Sequence, residues 1–219
     1  MLNLQIAIDG PAGSGKSTVA KEIAKRLQIT YLDTGAMYRA VTLCALRSQI
    51  DVHSADALKT ILDAIDIDIT PTQIFVGGED VTEAIRTPEV TRNVSYVSMD
   101  AYVRAQMVAL QQKIAHDKSV IMDGRDIGTT VLPDATYKFF LIADPLERAK
   151  RRKLELDAKG YESTIEALTS EIIARDTLDS QREVSPLKRA DDAHEIDTTF
   201  MTIEEVVHTI IAHIEKHQG

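Results

Sequence analysis

The chain has 219 residues, 44% of them hydrophobic, enough for one packed domain with an insertion and short for two. A net charge of −9 and a pI near 5.2 weigh against a nucleic-acid-coating role, which needs a basic surface. One cysteine, Cys44, cannot form an internal disulfide, and no apolar run approaches the ~18 residues of a membrane span.

Leu4–Asp9 reads as a short buried strand that starts almost at Met1, leaving no room for a leader, so a cytoplasmic protein is expected. Gly10-Pro11-Ala12-Gly13-Ser14-Gly15-Lys16-Ser17 follows and matches G-x-x-x-x-G-K-[ST], the phosphate-binding loop. Thr18–Leu27 carries apolar residues at helical spacing, so the motif joins a strand to a helix, as its chemistry requires. Glycines let successive N–H groups point at one phosphate chain, and the helix N-terminus adds partial positive charge. Lys16 can reach the β- and γ-phosphates, and Ser17 can hold Mg²⁺.

Ile29–Leu32 is a second strand, followed by a turn at Asp33–Arg39 and an apolar-periodic run to Leu46 that places Cys44 as a small core residue. Ser54 is placed to cap a helix to about Leu62. Between Asp66 and Arg86, short alternating patterns broken at Thr70–Gln73 and Gly77–Glu79 predict a hairpin or three-stranded antiparallel patch. It is too poor in apolar residues to be a domain of its own. Pro88 opens a helix, and Ala101–Ala115 is another, with Val103, Met107, Leu110 and Ile114 on one face.

Ser119–Asp123 is a third strand, leading into Gly124-Arg125-Asp126-Ile127-Gly128, and Tyr137–Ile142 is a fourth. Asp144-Pro145-Leu146-Glu147 is a helix start, opening a helix that carries Arg148, Lys150, Arg151, Arg152 and Lys153 and stops by Gly160. Ser163-Thr164-Ile165-Glu166 reads as a capping box for a helix with Arg175, Asp179 and Arg182. A strand at His194–Asp197 and a helix from Thr202 to about Ile214 complete the chain.

Strands alternating with helices predict a parallel sheet flanked by helices, with ligands beyond the carboxyl ends of the strands. Three segments then meet on one rim: 10–17, 33–39 and 123–128. The only asparagines, Asn3 and Asn93, do not begin an N-K-x-D guanine signature, so a guanine switch is not expected. Arginines away from the phosphate loop, in a chain this acidic, suit a second phosphorylated ligand. A small-molecule kinase of another kind and a catalytically silent nucleotide-binding module both stay open at this point. Intact Lys16, Ser17, Arg125 and Arg182 weigh against the silent module.

Asp9–Thr18 and Leu32–Arg39 resemble bacterial cytidylate kinases, as do Gly78–Thr82, Ile85–Val90, Asp123–Thr129 and Arg175-Asp176 with Asp179 and Arg182. The resemblance spans nearly the whole chain. It implies a P-loop NTPase fold with a five-stranded parallel sheet and a small antiparallel β insertion. It implies one kinase domain over 1–219, a nucleoside-monophosphate-binding insertion at about 63–95 and a lid at about 148–162. It implies transfer of phosphate from ATP, with Mg²⁺, to CMP or dCMP by a monomer that binds neither nucleic acid nor membrane. Gly10, Pro11, Ala12, Gly13, Ser14, Gly15, Lys16, Ser17 and Thr18 would bind ATP. By the same resemblance Thr34, Arg104 and Asp126 would face cytosine, and Arg39 and Arg125 would grip the acceptor phosphate. Arg175 and Asp179 would contact the sugar. Lys16, Arg125, Arg182 and the lid residue Arg151 would act on the transferring phosphate.

Overall fold

The computed structural model describes residues 3–217. Five strands form the sheet: β1 Gln5–Asp9, β2 Thr30–Asp33, β6 Val120–Gly124, β7 Tyr137–Ile142 and β8 His194–Asp197. They lie in the order β2-β6-β1-β7-β8, all parallel. The central β1 is apolar on both faces because both are covered. Ile6 and Ile8 join Ile121, Phe139 and Leu141 against α1 (Lys16–Leu27) and α8 (Ile203–His217). Ala7, Leu32, Val120 and Met122 face the other way, onto Ala115, Ile127, Val131 and Leu132.

A second apolar cluster lies beside the sheet. It joins α2 (Thr34–Arg47), α3 (Ala55–Ala64), α4 (Pro88–Met99) and α5 (Ala101–Ala115). The antiparallel patch appears as expected, as β3 Ile67–Ile69, β4 Ile74–Val76 and β5 Glu79–Asp80. Its Ile74, with Val81 and Ile85 beyond it, is buried only because α2 to α5 supply the other side of that core. Cys44 is half-buried against the same cluster, and burial pushes its thiol up. The two remaining helices, α6 (Pro145–Asp157) and α7 (Ile165–Gln181), pack through Ala149, Leu156, Leu168 and Ile172.

Local signals placed most of these elements, with three corrections. No turn separates β2 from α2: Asp33 ends the strand and caps the helix, accepting from the Ala36 N–H at 3.0 Å. Ser163 is not the cap of α7; Thr164 is, accepting from the Ala167 N–H at 3.2 Å. Asp144 does cap α6, but Glu147 turns to Lys150 (2.5 Å) instead of closing a capping box. At α8 the box is closed both ways, Thr202 N–H to Glu205 and Glu205 N–H to Thr202.

Candidate active site

The phosphate loop, 10–15, leaves β1 and enters α1 through Gly15, whose φ of +90° suits glycine. No side chain caps α1, so its first N–H groups stay open to an anion. Lys16 folds back over the loop, donating to the Pro11 carbonyl at 2.6 Å and to Ser14 Oγ at 3.4 Å. It is only 5% exposed. Burial, and secondly the Arg125 charge, push its ammonium down to about 7; Asp123 and Asp9 oppose this. A bound triphosphate at the loop would supply the missing counter-charge and hold the ammonium protonated. If Lys16 contacts the triphosphate, ATP binding above pH 7 takes up a proton, and affinity is expected to fall as pH rises from 7 to 9, by up to about tenfold per unit. Calorimetric titration in buffers of different ionisation enthalpy measures this uptake. Affinity that is flat over that range, with no proton uptake, would exclude Lys16 as the titrating contact.

Three carboxylates lie at the carboxyl ends of three adjacent strands: Asp9 closes β1, Asp33 closes β2 and Asp123 is the next-to-last residue of β6. Asp123 accepts from Ser17 Oγ and from the Tyr31 hydroxyl, each at 2.7 Å. Burial, then the nearby Asp33 charge, raises the Asp123 carboxyl above its usual range. Asp9 accepts from the Ile127 and Gly128 N–H groups at 2.8 and 2.7 Å, which ties 126–128 to the phosphate-loop strand. Burial nonetheless pushes Asp9 up to about 6. Asp33 pairs with Arg86 at 2.5 Å, joining the rim to the segment after the antiparallel patch. Sequence reasoning passed over these three as site residues. The available signal was a carboxylate at the carboxyl end of an apolar strand on the ligand rim.

Across the rim from the phosphate loop, Arg104 from α5 and Arg182 from the end of α7 both donate to the buried Asp126, Arg182 at 3.4 Å. Thr34 Oγ1 donates to the Asp123 carbonyl at 2.7 Å. Arg125 donates to Asp179 at 2.9 Å, and Arg175 lies 3.9 Å from the same carboxylate. Arg39 donates to Thr91 Oγ1 at 2.9 Å and opens, with Arg86, Arg152 and Lys159, onto a cavity of about 210 Å³. Burial first, then neighbouring arginines, push Arg39 down to about 9 and Arg175 to about 10. Both stay cationic at neutral pH, so this partly exposed region holds positive charge suited to a dianion.

The basic run on α6 divides. Arg148 is buried; it donates to the Ala12 carbonyl of the phosphate loop at 3.0 Å and pairs with Asp176 at 2.6 Å. Arg151 donates to the Thr198 and Thr199 carbonyls at 2.6 and 3.1 Å, on the loop beside the phosphate loop. That loop is itself bound to the phosphate loop by Thr198 Oγ1, which donates to the Ser14 carbonyl at 3.1 Å. Lys150 and Lys153 make exposed pairs with Glu147 and Asp157. Thr18 is exposed on the first turn of α1.

A phosphate loop at the head of a parallel sheet, opposite a nest of buried arginines, defines a P-loop kinase. The family model for cytidylate kinase matches residues 6–216, and the chain belongs to that family. It is similar to the cytidylate kinase of Bacillus cytotoxicus, 52% identical over 217 residues, or 97% of this chain and 96% of that one. It is equally similar to that of Bacillus cereus strain ATCC 10987, 52% identical over 213 residues and 95% of each chain. Among solved structures, an uncharacterized protein from Eubacterium ventriosum shares the fold, with a TM-score of 0.53 and 15% identity over 97% of this chain and 99% of that one. No helix among the described residues is long and apolar enough to cross a membrane.

Proposed function

We propose that the protein transfers the γ-phosphate of ATP to CMP or dCMP, giving CDP or dCDP. The observation that carries this is the buried Arg104–Asp126–Arg182 set on the same rim as the phosphate loop, in a chain of the cytidylate kinase family. The acceptor phosphate is already ionised, so its oxygen attacks without a general base. Positioning and charge stabilisation carry the reaction.

Residues 10–18 hold the triphosphate, with Lys16 on the β- and γ-phosphates. When bound, Mg²⁺ would supply positive charge to offset that of the transferring phosphates. Ser17 Oγ and the Asp123 carboxylate are the oxygen pair that fits it, since Mg²⁺ takes one or two protein oxygens beside phosphates and water. Arg39 and Arg125 fork onto the acceptor phosphate. Arg175 and Asp179 meet the sugar, and Arg182 and Arg151 the transferring group. The lid expected at 148–162 hinges beyond Arg151, because Arg148 and Arg151 are bound to the phosphate loop and its neighbour. The enzyme works on free nucleotides as a cytoplasmic monomer, a state that size-exclusion chromatography checks.

Cytosine is selected by hydrogen-bond polarity. Asp126 accepts from its amino group, and Arg104 donates to N3 and O2. Uracil turns both contacts into clashes of like polarity, which supports a CMP preference of about tenfold to several hundredfold in kcat/KM. The test is ADP formation across CMP, dCMP, UMP, AMP and shikimate, with Asp126→Asn beside wild type. CMP and dCMP are expected to lead the panel. In the variant CMP activity falls more than UMP activity, because the amide can donate to the uracil carbonyl. A CMP:UMP ratio that Asp126→Asn leaves unchanged removes Asp126 from base reading.

A further inference from the structure

Four buried polar atoms behind the acceptor site make no hydrogen bond of good geometry among the described residues: Tyr38 OH, Gln111 Oε1, Gln111 Nε2 and Arg104 Nε. Arg104 and Gln111 are each 1% exposed, and Tyr38 is 7% exposed. Gln111 lies two turns beyond Arg104 on α5, so both side chains leave one face of the helix. The Arg104 guanidinium lies over the Tyr38 ring, its central carbon 5.4 Å from the centroid. The Gln111 carboxamide lies beside the Tyr38 phenol; burial pushes that phenol up to about 12, and a loose hydrogen bond with Gln111 works against the rise. A chain of contacts therefore runs from Asp126 through Arg104 and Tyr38 to Gln111.

Packing alone does not account for the carboxamide. A buried polar group without a partner is costly, and an apolar side chain of the same shape would serve the ligand-free core better. The ion pair in front explains when a partner would be wanted. Without nucleotide, Arg104 Nη2 donates to Asp126, which Arg182 shares. Reading a base requires both to turn part of their bonding toward it, which leaves the guanidinium held by the Ser98 carbonyl, which accepts from Nη1 at 3.2 Å, and from behind by the Tyr38 ring.

We propose that Gln111, acting through Tyr38, is a positioning residue that sets Arg104 for cytosine and so sharpens acceptor-base selection. The inference rests on the base-reading role given above to Arg104 and Asp126. As Arg104 tilts toward the base, the Tyr38 ring follows. Its hydroxyl and the Gln111 carboxamide, only loosely paired in the ligand-free protein, then close to a well-formed hydrogen bond. The nest thus favours the arrangement that holds cytosine.

Gln111→Met keeps the length of the side chain and removes its polar atoms, and Tyr38→Phe removes the other end of the bond. Each is expected to raise KM for CMP about tenfold, to leave kcat within about twofold, and to lower the CMP:UMP ratio of kcat/KM about tenfold. The thermal midpoint of Gln111→Met should be unchanged or higher. The double variant should do no more than either single one, because both break one link. Unchanged KM and ratio in both variants, or effects that add in full, overturn the proposal. If Gln111→Met does not fold, Tyr38→Phe decides: wild-type KM and ratio there overturn it. Arg104→Met separates the two levels. A ratio unchanged in Arg104→Met sinks base reading, and this proposal with it. A ratio lost in Arg104→Met but kept in Gln111→Met sinks the positioning role of Gln111 alone.

Discussion

Lys16→Ala is expected to lower kcat by about 10³-fold or more while the protein stays folded. The ammonium is the positive group nearest the heart of the phosphate loop, donating to Pro11 and Ser14 within it. Removing it takes away charge stabilisation that no other residue of the loop can replace, since the rest offer backbone N–H groups and hydroxyls. The fold should tolerate the change, because the lysine is buried at a cost. Its folded-state value of about 7 lies below the ordinary 10.5, so the unfolded chain binds more protons between those limits. The penalty for burying this group is therefore full below pH 7 and shrinks as pH rises toward 10.5. Lys16→Ala relieves it, so its stability relative to wild type should be best near neutral pH and decline in alkali. Steady-state kinetics and thermal melts at pH 7 and pH 9 read both effects. A folded Lys16→Ala protein with near-wild-type kcat would falsify the phosphate role.

Gly10→Ala is expected to be the most damaging conservative change in the phosphate loop, through structure before chemistry. Gly10 has φ +144°, and a Cβ there would stand 2.1 Å from the Leu141 carbonyl oxygen. That oxygen belongs to β7, held between β1 and β8, and cannot swing aside as a flexible side chain would. Backbone strain and overpacking together should cost about 3 kcal/mol or more, or roughly 6–12 °C in Tm for a chain of this size. The loop must also shift away from β7, so activity should fall with stability. Gly78→Ala is the control. Its φ is +83° but nothing lies within 4 Å, so strain alone applies, about 1 kcal/mol, with kcat kept. Equal melting points for the two variants would show that the contact with Leu141 does not constrain the loop.

The amino-acid sequence by itself determined the elements and the phosphate loop. Hydrophobic period, caps and the G-x-x-x-x-G-K-[ST] spacing are local properties of the chain. Tyr137–Ile142, His194–Asp197 and Ala101–Ala115 accordingly fall where their patterns put them. The antiparallel patch was legible from alternation and turn residues, though not its dependence on α2 to α5 for a core. Even local signals slipped where two residues competed for one job, as Ser163 and Thr164 did for the cap of α7.

The tertiary structure alone decided which of the many charged residues face one another. Ser17 meets Asp123 across 106 residues, Arg148 meets the loop carbonyl of Ala12 across 136, and Asp126 collects Arg104 and Arg182 from 22 and 56 residues away. No periodicity encodes such pairings. They follow from the strand order β2-β6-β1-β7-β8, which sets Asp33, Asp123 and Asp9 side by side at the carboxyl ends of neighbouring strands. The same packing turned Arg148, expected on a moving lid, into a buried anchor of the phosphate loop, and left Gln111 and Tyr38 only loosely paired behind Arg104. Burial is a property of the assembled layers, and only burial makes an ion pair selective or an unpaired amide costly.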